Sequence, residues 1–144
     1  MDPELRREII LDNYTNPENK GVVDSDSYIK VNTNNSSCID NIDIYIDFDG
    51  DVIKDIKFDG EACAISTAST SIMTKELIGK TTDEALTYAK NFDAMIQEED
   101  YDREMMGEAL VFDEIYKQAN RKTCATLPYK GIIKAIEQHK NAND

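Results

Sequence analysis

The sequence is poor in cysteine, in positive charge and in long apolar runs, and each scarcity argues against a class of protein. Its 144 residues include three cysteines without C-x-x-C spacing, so a disulfide framework is not expected. Sixteen basic residues against 29 acidic ones give a net charge of -13, which argues against nucleic acid and anionic membranes as partners. No apolar run approaches the roughly 20 residues of a membrane span. The N-terminus also lacks the basic segment followed by an apolar segment that is typical of a signal peptide. We therefore expect a cytoplasmic protein with reduced thiols.

The chain also lacks the repeats and the Gly/Ser/Pro-rich linkers that separate domains, so we predict a single domain over residues 1–144. A chain of this length can bury a sizeable core without metals or disulfides. Any metal would therefore serve function rather than rescue a weak fold. The acidic excess fits either a basic surface on a protein partner or simple solubility, and charge alone does not choose between them.

Strand signals are concentrated in the first half of the chain. Residues 28–31 are a modest candidate, whereas residues 42–48 alternate apolar and polar side chains as a half-buried strand does. A hairpin turn is predicted at residues 49–50, the returning strand at 52–58, and a turn that closes the sheet at 59–60. Helical patterns follow the strands. We therefore predict an α+β domain, a small three-stranded antiparallel sheet with helices packed on one face.

The first helix is predicted to begin at Asp2 and Pro3, because aspartate is a good N-cap and proline suits the first helical position. Leu5, Ile9 and Tyr14 are expected on its buried face. The Asn-Pro pair at residues 16 and 17 ends it.

Helical periodicity returns after the strands. One helix is predicted over residues 64–78, and a capping box at Thr81 begins the next. Further helices are expected from about residue 112 and from about residue 125 to the end, with Pro128 in the first turn of the last helix. The single histidine, His139, is expected to be a solvated residue of that helix.

The three cysteines can meet at one end of the sheet. Hairpin pairing would bring Cys38 near Cys63, and Cys124 would join them if the last helix docks there. Together with Asp40, three thiolates could hold zinc or an iron–sulfur centre. Cys63 and Cys124 are both expected at helix N-termini, where the helix dipole favours the thiolate. The alternative is that three unpatterned cysteines are simply buried as small apolar side chains.

Four segments resemble the U-type iron–sulfur assembly proteins, the family of IscU and SufU. Their family patterns are D-H-Y-x-N-P-x-N-x-G, C-G-D, F-x-G-x-G-C-x-I-S-x-A-S and R-x-x-C-A-T-L. The matching segments are residues 10–21 (ILDNYTNPENKG), 37–40 (SCID), 58–69 (FDGEACAISTAS) and 121–127 (RKTCATL). The SufU branch is favoured because Thr123 stands where IscU-type members have a histidine. An insertion over about residues 97–120 favours the same branch.

The resemblance implies zinc bound by Cys38, Asp40, Cys63 and Cys124. It also implies a sulfurtransferase role, in which Cys38 accepts persulfide sulfur from a SufS-type cysteine desulfurase after the partner exchanges a ligand at zinc. The sulfur would pass to a downstream iron–sulfur scaffold or apo-protein. Arg121 matches a family arginine that steadies the partner or the thiolate, and an ordinary surface arginine is the alternative.

Two other functions stay open at this point. The same ligands could make the protein a scaffold on which a [2Fe–2S] or [4Fe–4S] cluster is assembled and from which it is transferred. A third reading is an inactive or regulatory protein, since Ile39 replaces the glycine of the C-G-D motif. A β-branched residue is poorly suited to the positive φ that glycine permits. Among the four ligands, Asp40 is therefore the one whose contact with the metal this replacement would disturb.

Overall fold

The sheet of the computed structural model, which describes residues 1–35 and 39–142, has three antiparallel strands in the order β1-β2-β3. β1 spans Tyr28–Asn34, β2 spans Asn41–Asp49 and β3 spans Val52–Glu61. Alternation in β2 buries Ile42, Ile44 and Ile46 as expected. Tyr45 faces the other side, yet it is also buried, beside Lys30 and Lys57 of the neighbouring strands.

The turn predicted at residues 59–60 is wrong, because β3 continues through both residues to Glu61. Gly60 pairs with Ile42 and has a φ of +133°. A Cβ at Gly60 would collide with the backbone carbonyl oxygen of Asn41. This glycine therefore permits a close approach of two strands rather than a reversal of the chain.

Five α-helices and two short 3₁₀ segments accompany the sheet in the described part of the chain. The α-helices are α1 (Pro3–Thr15), α2 (Ala64–Leu77), α3 (Thr82–Ile96), α4 (Arg103–Met106) and α5 (Ala119–Ala142), and the 3₁₀ segments are Gly107–Phe112 and Ile115–Lys117. α5 packs on β1 and β2, and α2 packs on β3, α1 and α5. The predicted α+β class is confirmed. Within residues 1–35 and 39–142, none of the helices has the length and apolar character needed to cross a membrane.

The predicted ends of α1 are confirmed, but of its predicted buried face only Ile9 packs against the core. The Asp2 side chain caps the first turn by accepting from the N–H of Glu4. Leu5 and Tyr14 are exposed, whereas Asn13 is buried and accepts a hydrogen bond from the Ser71 hydroxyl (2.8 Å). α1 therefore docks on α2 through a polar contact, which an apolar periodicity does not reveal.

The predicted start of the last helix is also wrong. α5 begins at Ala119, so Cys124 and Pro128 both lie inside it. Proline has no N–H for the carbonyl four residues earlier, which is that of Cys124. The Ser66 hydroxyl lies 3.1 Å from the Cys124 carbonyl oxygen, and the Ser69 hydroxyl donates to that of Ala125 (2.6 Å). Side chains of α2 thus supply donors where the proline interrupts the helix.

The helix expected from about residue 112 does not begin there, because the chain instead forms the 3₁₀ segment Ile115–Lys117 and then α5 from Ala119. Phe112 and Ile115 are buried in the core, which explains the apolar pattern of this segment. The prediction of one domain with an insertion at about 97–120 stays a prediction.

His139 is not the solvated residue that the sequence suggested. Its ring stacks on Phe48 with centroids 4.0 Å apart, and its Nε2 lies 2.7 Å from the carbonyl oxygen of Gly50. Because Gly50 lies in the β2–β3 hairpin, this contact attaches the end of α5 to the sheet.

Candidate metal centre

Three elements meet at one end of the sheet and bring together three of the predicted ligands. Asp40 immediately precedes β2, Cys63 is the N-cap of α2, and Cys124 lies in α5. One ligand atom from each lies within 4.8 Å of the others. Asp40 is 1% exposed and Cys124 is 6% exposed, while Cys63 is half-buried. The arrangement is therefore a largely enclosed cluster with one more accessible thiol.

Asp40 uses both carboxylate oxygens within the cluster. Its Oδ1 accepts from the backbone N–H of Cys63 (2.7 Å). Its Oδ2 lies 2.7 Å from the Ser66 hydroxyl oxygen and 3.8 Å from Cys63 Sγ. The neighbouring Ile39 side chain is 68% exposed, and Asp40 is nevertheless turned inward. The isoleucine at this position thus leaves the carboxylate facing the cluster.

Cys63 lies at the helix N-terminus that the sequence predicted. Its φ of -67° and ψ of 170° are extended, and its Sγ accepts from the N–H of Ser66 at 3.4 Å. A sulfur thus takes the capping place that serine or aspartate oxygens usually hold. The sulfur therefore lies at the N-terminus of α2, where the helix dipole favours negative charge.

Cys124 does not have the helix-terminal environment that the sequence suggested. It lies inside α5, and its Sγ donates to the carbonyl oxygen of Asn120 at 3.6 Å. The pKa of Cys124 is raised to about 12. Burial is the largest cause, and the adjacent Cys63 and the Asp40 carboxylate raise the pKa further. The expectation of a lowered pKa is therefore wrong for this thiol, which keeps its proton at neutral pH until a cation compensates the charge.

The donor set suits a thiophilic cation. Two sulfurs bound to one tetrahedral zinc are about 3.8 Å apart, because each Zn–S bond is about 2.3 Å. The observed spread of at most 4.8 Å between donors requires only a small adjustment from that distance. Thiolates favour zinc or iron–sulfur centres over magnesium or calcium. Asp40, Cys63 and Cys124 could thus supply three of four ligands.

Two further residues were predicted for this site, Cys38 and Arg121. Cys38 lies outside the described residues, so its predicted role as fourth ligand and sulfur acceptor stays a prediction. Arg121 is exposed in the first turn of α5, three residues before Cys124. Residues with this spacing lie on neighbouring positions of a helix surface. The side chain of Arg121 could therefore reach a partner bound over the cluster, and its predicted role is untested.

Ser66 is the site residue that sequence reasoning missed. It is fully buried and contacts Asp40, Cys63 and Cys124 at once. A signal was present, since α2 buries six Ser and Thr side chains in a helix that an apolar pattern alone would not explain. Buried hydroxyls need partners, and here the partners are the candidate ligands and α5.

Comparison with known proteins is decisive for the family. The model of the family described as "NifU-like N terminal domain" matches residues 5–126. The chain belongs to this family. The resemblance of the four sequence segments to IscU and SufU proteins is thereby confirmed, and the family match includes Asp40, Cys63 and Cys124.

Individual relatives of this NifU-like N-terminal domain are similar over most of their length. The zinc-dependent sulfurtransferase SufU of Bacillus subtilis (strain 168) is 39% identical over 140 residues, which cover 96% of this chain and 94% of that protein. The iron–sulfur cluster assembly scaffold protein IscU of Streptococcus pyogenes serotype M1 is 36% identical over 135 residues, 93% of this chain and 84% of that protein.

A solved structure has the same fold. It is the crystal structure of a candidate iron–sulfur cluster assembly scaffold for the SUF system from Fervidobacterium islandicum AW-1. Its TM-score is 0.80 at 34% sequence identity, and the match covers 90% of this chain and 94% of that one. The three-stranded sheet with its helices is therefore the architecture of this family.

Proposed function

We propose that this NifU-like protein is a zinc-dependent sulfur carrier for iron–sulfur cluster biogenesis, which accepts persulfide sulfur from a cysteine desulfurase. The observation that carries the proposal is the grouping of Asp40, Cys63 and Cys124 within 4.8 Å. A zinc ion held there by these residues and Cys38 would keep the thiols deprotonated and has no redox chemistry of its own.

The sulfur transfer balances without an added oxidant. The thiolate of Cys38 attacks the outer sulfur of the persulfide on the desulfurase. The S–S bond breaks, the desulfurase cysteine leaves as a thiolate, and Cys38 keeps the sulfur as a new persulfide. A second thiol exchange would pass this sulfur to a downstream scaffold or apo-protein. Cys38 is assigned the acceptor role because it matches the cysteine of the family's C-G-D motif, which the resemblance to IscU and SufU proteins implies as the acceptor.

The more accessible thiol and the charge of the chain support a protein partner. Cys63 is half-buried while Cys124 is nearly enclosed, so a partner would approach from the Cys63 side. Ile39, which directly precedes the cluster residue Asp40, is exposed and could contact such a partner. A net charge of -13 suits a desulfurase that presents a basic surface, and such attraction would weaken as salt is added.

Metal analysis combined with a desulfurase assay tests the proposal. We expect anaerobically purified native protein to contain one zinc, to stimulate a SufS-type desulfurase and to gain one sulfur atom on Cys38 by mass spectrometry. Cys38→Ser should abolish both the stimulation and the added sulfur. Asp40→Asn should lower zinc content, whereas Asp43→Asn should not, because Asp43 lies in β2 outside the cluster.

The scaffold function is the competing outcome, because the IscU and SUF relatives carry that description. A stable brown chromophore that transfers to an apo-acceptor, in a protein that does not stimulate a desulfurase, would favour the scaffold over the carrier. Stimulation that survives Cys38→Ser would remove Cys38 as the acceptor.

A further inference from the structure

Ser66 has one hydroxyl proton and two acceptors within reach. Its Oγ lies 2.7 Å from Asp40 Oδ2 and 3.1 Å from the carbonyl oxygen of Cys124. A serine hydroxyl donates one hydrogen bond at a time. The proton therefore serves either the candidate ligand Asp40 or the backbone of the helix that carries the candidate ligand Cys124.

The second acceptor exists because of Pro128. Four residues after Cys124, this proline supplies no N–H, so the Cys124 carbonyl has lost its usual partner within α5. Ser66 is fully buried, so this place is closed to bulk water. The Ser66 hydroxyl thus connects α2 both to α5 and to Asp40, the residue that precedes β2.

We infer that Ser66 is a positioning residue of the metal centre, which orients Asp40 Oδ2 toward the cation and couples that orientation to the proline-interrupted turn of α5. The inference rests on the proposed zinc function. Partners of this kind, which hydrogen-bond to a metal ligand, fix its orientation, and their removal costs about 10- to 100-fold in metal affinity. Ser66 does not itself need to touch the metal.

The chain provides a matched control in Ser69. Its hydroxyl is also fully buried in α2 and also donates to a carbonyl of α5, that of Ala125. Ser66→Ala and Ser69→Ala therefore remove the same kind of bond between the same helices. Only Ser66 also contacts Asp40.

Zinc affinity is measured by competition with a chromophoric chelator, and the visible absorption of the cobalt-substituted protein reports the ligand set. Ser66→Ala should lower zinc affinity about 10- to 100-fold and alter the cobalt spectrum. Ser69→Ala should change the affinity less than about threefold, although both apo-proteins lose similar thermal stability. Equal losses of zinc affinity in the two variants would overturn the inference.

Pro128→Ala separates the two roles of the hydroxyl, because alanine restores an N–H for the Cys124 carbonyl. In this background Ser66→Ala should cost less stability, yet zinc affinity should still fall about 10- to 100-fold. The Pro128→Ala background also guards against misfolding of Ser66→Ala, because the Cys124 carbonyl then keeps a backbone N–H as its donor. If the loss of zinc affinity disappears with Pro128→Ala, the effect runs through α5 and not through Asp40.

Asp40→Asn distinguishes failure of this inference from failure of the proposed function. If the native protein binds no zinc, or if Asp40→Asn leaves zinc affinity unchanged, the proposed ligand set fails and the inference fails with it. If Asp40→Asn weakens zinc binding and Ser66→Ala does not, only the positioning role is wrong.

Discussion

The metal centre has a strand side and a helical side, which reach the same point by different means. On the strand side, Asp40 and Cys63 are placed by the ends of β2 and β3, and Gly60 permits their strands to approach closely. On the helical side, Cys124 is placed by α5, whose interruption at Pro128 is accommodated by side chains of α2. Local geometry therefore sets one side and packing between helices sets the other.

The difference teaches that two cysteines of one cluster need not be equivalent. Cys63 is half-buried, caps a helix and receives an N–H group, whereas Cys124 is enclosed and its pKa is raised to about 12. Zinc binding would therefore have to displace a proton from the buried thiol. We expect Cys63 to be the sulfur more open to a partner, with Cys124 as the fixed anchor of the site.

The largest expected effect comes from removing either thiol. Cys63→Ser and Cys124→Ser should each weaken zinc binding by about 3 to 4 kcal/mol, roughly a quarter of the 10–16 kcal/mol typical of a four-ligand zinc site. Competition titration measures this loss. Thr123→Ser, adjacent to Cys124, is the control and should retain native affinity. A cysteine whose serine variant binds zinc normally is not a ligand.

The strand side is tested by its glycine. Gly60→Ala should lower the free energy of unfolding by about 3 kcal/mol, because the new Cβ meets the backbone of Asn41 at a φ of +133°. Gly50→Ala, at a φ of +59° with open space around it, should cost only about 1 kcal/mol. Urea unfolding measures both. Similar losses of unfolding free energy in the two variants would contradict the view that the close approach of β2 and β3 requires glycine at position 60.

The helical side is tested by pH. Because Cys124 holds its proton to a pKa of about 12, zinc binding should release that proton, which by itself lowers the affinity about tenfold for each unit of decreasing pH, in addition to any protons released by the other thiol ligands. Zinc titrations in buffers of different pH give this slope. In Cys124→Ser the slope should decrease by one proton. An unchanged slope would contradict the assignment.

The same thiol gives a sign for the stability of the zinc-free protein. The folded pKa of Cys124 lies above the ordinary thiol value of about 8.5, so the folded state binds the proton more tightly than the unfolded state. The resulting stabilisation is fully present below about pH 8.5 and is lost as pH rises toward 12. Cys124→Ser should remove this part of the alkaline loss.

The smallest effect concerns the far end of α5. His139→Ala should cost about 1 kcal/mol of unfolding free energy, since it removes the stack on Phe48 and the bond to the Gly50 carbonyl. Lys140→Ala is the control, because its ion pair with Asp83 is exposed and should contribute less. Zinc affinity should stay unchanged in both variants, because both contacts lie outside the metal centre.

Elements with strong local signals could be predicted from the sequence. The alternation of β2, the hairpin turn at Gly50 and the capping box at Thr81 each depend on neighbouring residues, and the structure shows all three. The same is true of Cys63, whose place between a strand and a helix follows from the sequence around it. The motifs around the cysteines likewise indicated the family.

Features that depend on distant contacts could not be predicted in this way. Sequence alone predicts that Pro128 lies in the first turn of a helix, because it does not reveal that hydroxyl groups from α2 bond the interrupted turn of α5. Gly60 likewise has the local signal of a turn, although in the structure it permits a close contact between two strands.

The sequence by itself determined which residues could bind a metal and which strands would pair, since both follow from residue type and short-range spacing. Only the tertiary structure decided that Cys124 is enclosed, that Asp40 faces inward beside an exposed Ile39, and that Ser66 joins them. Burial and hydrogen-bond partners are properties of the packed helices, and they come from residues far apart in the chain.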